Sequence, residues 1–110
     1  MYNQRDIVLI PFPYSDLTGF KQRPALIISN NEINKTEDRI CCLVTTNKSK
    51  ESIIIERKDF ESGKLPFKSW IKAHRLFTIH EKIIRKGLCT INARLYNKLL
   101  KKINECLKII

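Results

Sequence analysis

Three short segments of the 110-residue chain carry side chains suited to handling a phosphate: Lys21-Gln22-Arg23-Pro24, Thr45-Thr46 followed by Asn47-Lys48, and His74-Arg75. Pro24 has no amide hydrogen and biases Arg23 toward extended backbone, so Arg23 stands where a loop becomes a strand, able to reach a bound anion. A guanidinium binds two phosphate oxygens at once and stays charged, and a threonine hydroxyl adds a compact neutral donor. No Gly-rich phosphate loop, Ser/His/Asp pattern or carboxylate cluster with metal-ligand spacing is present. Kinase, triad-hydrolase and two-metal nuclease chemistries therefore lack support. A reaction without a metal ion stays open. RNA carries its own nucleophile, because its 2′-hydroxyl attacks the adjacent phosphorus once one group accepts its proton, another protonates the leaving 5′-oxygen and donors stabilise the charged phosphorane.

The elements that must hold these groups read as short strands. Asp6 to Phe12 is an apolar run stopped by Pro-x-Pro, and Ala25 to Ser29 answers it across a polar loop containing Ser15-Asp16 and Thr18-Gly19. The pattern predicts a hairpin with a long tip. After a helical turn near Asn30-Asn31, strands are predicted at Arg39 to Thr46, Ser52 to Glu56 and Ser69 to Ile79, with a short sixth at Ile84 to Cys89. Asn92 is a good N-cap, and Leu95, Leu99, Ile103, Cys106 or Leu107, and Ile110 recur at helical spacing behind it. The opposite face of that helix bears Arg94, Lys98, Lys101, Lys102 and Lys108 and reads as solvated. The expectation is one mainly β domain over residues 1–110, a small and strongly curved antiparallel sheet or barrel capped by a C-terminal helix. Tyr14 and Phe20 fall in the polar loop and are placed to contact unpaired bases, whereas core roles are expected for Phe12 and Trp70.

Net charge is +10, and the stretch 82–110 has eight Lys/Arg against the single Glu105. Such asymmetry suits a polyanion or an acidic protein. The chain is also rich in Ile, Lys and Asn throughout, a bias that raises lysine without any partner, so charge alone is weak support. Cys41, Cys42, Cys89 and Cys106 have no Cys-x-x-Cys spacing and no histidine pair beside them, and are expected to be reduced, mostly buried thiols with no metal. Cys41 and Cys42 should point to opposite faces of a strand. No run approaches a membrane span and no signal-peptide apolar region opens the chain, which predicts a cytoplasmic protein.

Together these segments resemble the MazF/PemK toxins of bacterial toxin–antitoxin systems, over nearly the whole chain. Asp6-Ile-Val-Leu-Ile-Pro-Phe is similar to the opening strand of that family, Lys21-Gln-Arg-Pro-Ala-Leu-Ile-Ile-Ser29 to its Arg-Pro strand, and Leu43-Val-Thr45 to its strand ending in threonine. The resemblance implies an SH3-like barrel and a metal-independent, sequence-specific endoribonuclease that needs no cofactor. It would act as a homodimer on single-stranded RNA, leaving 2′,3′-cyclic phosphate and 5′-hydroxyl ends. Arg23 and Thr45 match the catalytic arginine and threonine, with Thr46 as the alternate. Arg75 would be a further phosphate contact; Tyr14, Phe20, Lys21 and Lys48 would contact RNA, and loop 14–22 would act as a lid. A cognate antitoxin would block the groove, and operator DNA would be met through that antitoxin. The fifth strand departs from better-known members, placing His74 and Phe77 where many have an acidic residue and an arginine. His74 is then either a proton carrier or a structural histidine, and His80 beside Glu81 reads as merely exposed. The competing reading is a non-catalytic nucleic-acid-binding member that serves autorepression.

Overall fold

The structure is a computed structural model, and it describes residues 1–13 and 18–110. Its strands are β1 (Asp6–Pro13), β2 (Phe20–Ile27), β3 (Asp38–Thr45), β4 (Ser52–Ile55), β5 (Phe60–Gly63), β6 (Ser69–His80) and β7 (Lys86–Ile91), with a short helix α1 (Asn31–Asn34) and a long one, α2 (Ala93–Leu107). They form one antiparallel sheet in the order β4-β6-β3-β2-β1-β7-β5. The mainly β architecture with a C-terminal helix expected from the sequence is borne out.

Apolar residues on both faces of the central strands explain why β1 reads as a continuous run instead of alternating with polar residues. Ile7, Leu26, Cys42, Val44, Ile71 and Ile91 belong to an inner core that the sheet curls around and α2 closes with Leu95, Leu99 and Ile103. Val8, Ile10, Ala25, Ile27, Cys41 and Ile79 form a second, outer cluster. Cys41 and Cys42 do face opposite ways, and both are buried, one in each cluster. Burial pushes both thiols up to about 12, and Cys89 up to about 11.

These thiols set an alkaline limit on stability. Below their ordinary value of 9.0 the folded and unfolded chains both keep them protonated. Between 9.0 and about 12 only the unfolded chain releases these protons, so stability falls as pH rises. Denaturant titrations at stepped pH should show that decline, which conversion of Cys41 and Cys42 to alanine should flatten.

The Asn92 side chain caps α2, accepting from the Leu95 amide at 2.9 Å. Leu99 is fully buried under the helix, so Leu99→Ala should cost about 2–5 kcal/mol in a urea titration. The neighbouring, exposed Leu100 should tolerate alanine within about 0.5 kcal/mol.

Several boundaries differ from expectation. β2 begins at Phe20, not Ala25, because Phe20, Lys21 and Gln22 pair with Pro13, Phe12 and Pro11 in a two-stranded arm of the β1–β2 hairpin. The lid expected over 14–22 is therefore strand from Phe20 onward. β5 is an addition to the expected strands: its four residues carry one large apolar side chain, too few for a period. It ends at Gly63, whose φ of +68° favours glycine, as does the crowding there, since a Cβ would stand 3.0 Å from the Leu88 carbonyl oxygen. At the C-terminus Cys106 is partly buried while Leu107 and Ile110 are exposed, Ile110 lying past the helix end.

Candidate active site

Arg23 lies on β2 opposite Ile10 of β1. On its other side β2 pairs with β3 from Ile27↔Cys41 to Ala25↔Leu43, and the ladder stops there. The stop coincides with Pro24, which has no hydrogen to donate. Continuing the same register by two residues sets Arg23 level with Thr45 at the end of β3, with no ladder bonds between them. Thr45 in turn pairs with Trp70 of β6, and Trp70 with Ile54 of β4. Paired residues share a face, and Leu26, Cys42 and Val44 point to the inner core. Arg23, Thr45, Trp70 and Ile54 thus form one row across the outer face.

The electrostatics of that row favour an anion. The Arg23 side chain makes no hydrogen bond or ion pair with any described residue, and no described carboxylate pairs with Lys21 or Lys48. Thr45 is 6 % exposed, and its hydroxyl oxygen accepts from the Asn47 amide at 3.1 Å. That bond fixes the oxygen and leaves the O–H free to donate.

A register shift brings a further cation to the same face. β3 and β6 pair at Cys42↔Leu76 and then at Val44↔Ile71, so Lys72, Ala73, His74 and Arg75 lie opposite Leu43 alone. Bulges of this kind re-aim side chains. Here Arg75 lies over the Phe12 ring at 6.0 Å, and Phe12 is held edge-on by Phe77 at 5.5 Å. Phe12 is also the partner of Lys21. Arg75 thereby joins the β1–β2 arm that carries Lys21 and Arg23. His74 is exposed and has no hydrogen-bond or ion-pair partner among the described residues.

The structure therefore assembles Arg23, Thr45, Lys21 and Arg75 on one face. Thr46 lies past the end of β3, exposed, and Lys48 stands in the following turn. Phe20 is 71 % exposed at the start of β2, outside the loop in which it was expected. Tyr14 lies outside the described residues. His80 is not merely exposed: its Nδ1 accepts from the Lys82 amide at 3.0 Å and its Nε2 lies 3.2 Å from the Glu37 carboxylate, which makes it a cap of the 3₁₀ turn at Glu81–Ile83. Trp70 is half-buried on the outer face, not core. Unbroken alternation back from Ile79 would turn Trp70 inward; the shift at His74-Arg75, which no pattern within Ser69–Ile79 reveals, turns it outward. Among the described residues no group of three His, Cys, Asp or Glu side chains is arranged to hold a metal ion. None of the described helices is long and apolar enough to cross a membrane.

A groove of about 740 Å³ runs between Ile55, Phe60, Leu65 and Phe67, and it takes no lining residue from β1, β2 or β3. The candidate site is the open, cationic row, because the chemistry-bearing side chains gather there and not in that groove.

Residues 3–107 match the family of PemK-like, MazF-like toxins of type II toxin–antitoxin systems. Among solved structures, an endoribonuclease from a mycobacterial species in complex with its cognate antitoxin superposes with a TM-score of 0.79 at 17 % identity, covering 100 % of both chains. The Mycobacterium tuberculosis toxin MazF-mt6 gives 0.75 at 16 % identity, covering 96 % of this chain and 99 % of that one. A MazE–MazF structure from Deinococcus radiodurans gives 0.72 at 16 %, covering 99 % and 97 %. No curated protein sequence matches.

Proposed function

Because the chain belongs to the PemK/MazF family of type II toxin–antitoxin toxins, we propose that it is the toxin of such a pair and cuts single-stranded RNA without a metal ion. The observation that carries this reading is the β2–β3 register, which, continued two residues past its last pair Ala25↔Leu43, sets Arg23, whose side chain has no partner among the described residues, level with the fixed hydroxyl of Thr45. In this reading Arg23 donates two N–H groups to the non-bridging oxygens of the scissile phosphate, and Thr45 donates its O–H to one of them. Both bonds strengthen as the phosphorane gathers charge.

The 2′-oxygen forms a bond to phosphorus and the bond from phosphorus to the 5′-oxygen breaks, leaving a 2′,3′-cyclic phosphate and a 5′-hydroxyl. The 2′-hydroxyl proton leaves to a base and the 5′-oxygen receives one from an acid. A guanidinium already carries its full complement of protons, so Arg23 cannot serve as the base. His74, presented by the β6 bulge beside Arg75, is assigned that traffic. A His74→Ala variant cleaving at the wild-type rate from pH 5 to 9 would remove it from the scheme. Thr46 is the alternate hydroxyl, Arg75, Lys21 and Lys48 hold flanking phosphates, and Phe20 and Tyr14 meet bases.

The active species is a homodimer in the cytoplasm. An acidic segment of the cognate antitoxin occupies the cationic face, and operator DNA is reached through that antitoxin. The antitoxins bound to the structural relatives support that partner. The test is incubation of the purified, antitoxin-free protein with mixed-sequence single-stranded RNA in excess EDTA, followed by end-group analysis. Discrete fragments ending in cyclic phosphate support the assignment. RNA that is bound and left intact would identify a non-catalytic binding module instead.

A further inference from the structure

Trp70 is the chain's single tryptophan, and its position in the fold is not that of a filler. It pairs on one side with Thr45 and on the other with Ile54. Its neighbour Ile71 is fully buried in the inner core. Alternation along the strand therefore turns the indole to the outer face, where it is half-buried. Beside it lies a concave surface of about 440 Å³ whose rim includes Lys48, Lys68 and Lys98. These lysines come from three separate parts of the chain: the turn after β3, the residue before β6, and α2. The Lys68 ammonium stands 5.8 Å from the centre of the indole ring. None of the three forms an ion pair among the described residues.

An aromatic face bordered by cations without carboxylate partners has the composition of a nucleotide subsite. Nucleobases stack on an indole whatever their sequence, and ammonium groups take the phosphates on either side. We infer that Trp70 is the stacking platform for an unpaired nucleobase one step along the strand from the Arg23–Thr45 phosphate site, with Lys48, Lys68 and Lys98 holding the adjoining phosphates. The inference rests on reading Arg23 and Thr45 as the phosphate site. It fixes the course of the RNA on the side of that site away from the β1–β2 arm, where the strand runs across β3 and β6 toward the β4 edge. Lys68, now over the ring, swings to a phosphate when the base arrives. Trp70 contributes to binding and alignment of substrate and takes no part in bond breaking, so its loss raises KM more than it lowers kcat.

The experiment uses the indole as its own reporter. The full chain is titrated with a single-stranded, fully 2′-O-methylated RNA of mixed sequence and about 12 nucleotides, within the usual span of single-strand sites. This probe cannot be cut by 2′-attack. Quenching of the indole emission is expected. Trp70→Ala and Trp70→Leu should each raise Kd, read by anisotropy of an end-labelled probe, by about 10–100-fold, while Trp70→Phe stays close to wild type. The leucine variant preserves apolar packing, so its loss of affinity with an unchanged melting temperature separates stacking from a structural role. Changing Lys48, Lys68 and Lys98 together to alanine should flatten the slope of log Kd against log salt by about 2. Unquenched emission, or wild-type affinity in Trp70→Leu, would overturn the inference. Binding with quenching by a protein that leaves ordinary RNA intact would support Trp70 while refuting the nuclease. Cleavage with a silent Trp70 would do the reverse.

Discussion

Arg23→Ala is expected to lower kcat/KM for RNA cleavage by about 10³ while the protein melts at its wild-type temperature. Transition-state charge held by a fixed donor is worth on the order of 10²–10³ per donor removed, and an arginine meeting a phosphoryl group adds a full charge and a second hydrogen bond. Unchanged melting is expected because the Arg23 side chain has no partner among the described residues whose loss would leave a buried group unsatisfied. Arg23→Lys keeps the charge and loses the fork, so it should recover roughly tenfold over alanine and remain far below wild type. Single-turnover cleavage of one labelled RNA, beside calorimetric melting of each variant, checks both halves. A variant that loses activity only in proportion to lost folded protein would reduce Arg23 to a structural residue.

Arg39→Ala carries the largest expected cost in stability. Arg39 is 1 % exposed. Its Nη1 donates to the carbonyls of Thr36 at 3.0 Å and Asp38 at 2.9 Å, its Nε to the Tyr2 carbonyl at 3.4 Å, and its Nη2 lies 3.3 Å from Glu81. One guanidinium therefore pins the N-terminal segment, the α1–β3 connection and the turn after β6 onto the outer cluster. Truncating it opens a large void and strands those carbonyls, a loss of about 3–5 kcal/mol. For a domain of this size that corresponds to a fall in melting temperature of more than roughly 10 °C. Arg39→Met should lose less, because it fills the space and fails only the hydrogen bonds. A melting temperature within a few degrees of wild type for Arg39→Ala would show that the network contributes little.

Arg39 also marks where sequence reasoning runs out. An arginine opening a strand reads as a solvent-exposed charge, and only the folding of distant backbone carbonyls around it makes it a core residue. β1, β3, β4 and α2 are legible because their apolar runs or helical spacing are set by local burial, and Asn92 announces its cap. The Arg23-Pro24 step marks a strand entry, although the β1–β2 arm moves the true start back to Phe20. That arm is hard to read because Phe20, Lys21 and Gln22 are exposed and pair with a strand containing two prolines. Arg23 and Thr45 stand out separately, yet their shared level depends on an antiparallel register that neither segment encodes alone. The shift that turns out His74 and Arg75 lies between two strands, so no pattern within Ser69–His80 discloses it, and the row through Trp70 stays hidden with it.

In the proposed reaction the substrate supplies the nucleophile while Arg23 and Thr45 hold the phosphate. This division of labour is best tested with one oligoribonucleotide containing an established cut site, compared with the same molecule in which only the nucleotide 5′ to the cut carries a 2′-deoxyribose. The substituted strand should bind with nearly the same Kd and stay uncleaved at that position in excess EDTA. Cleavage there at a rate near that of the all-ribose strand would mean that water or a protein group attacks the phosphorus, and the proposed mechanism would be wrong.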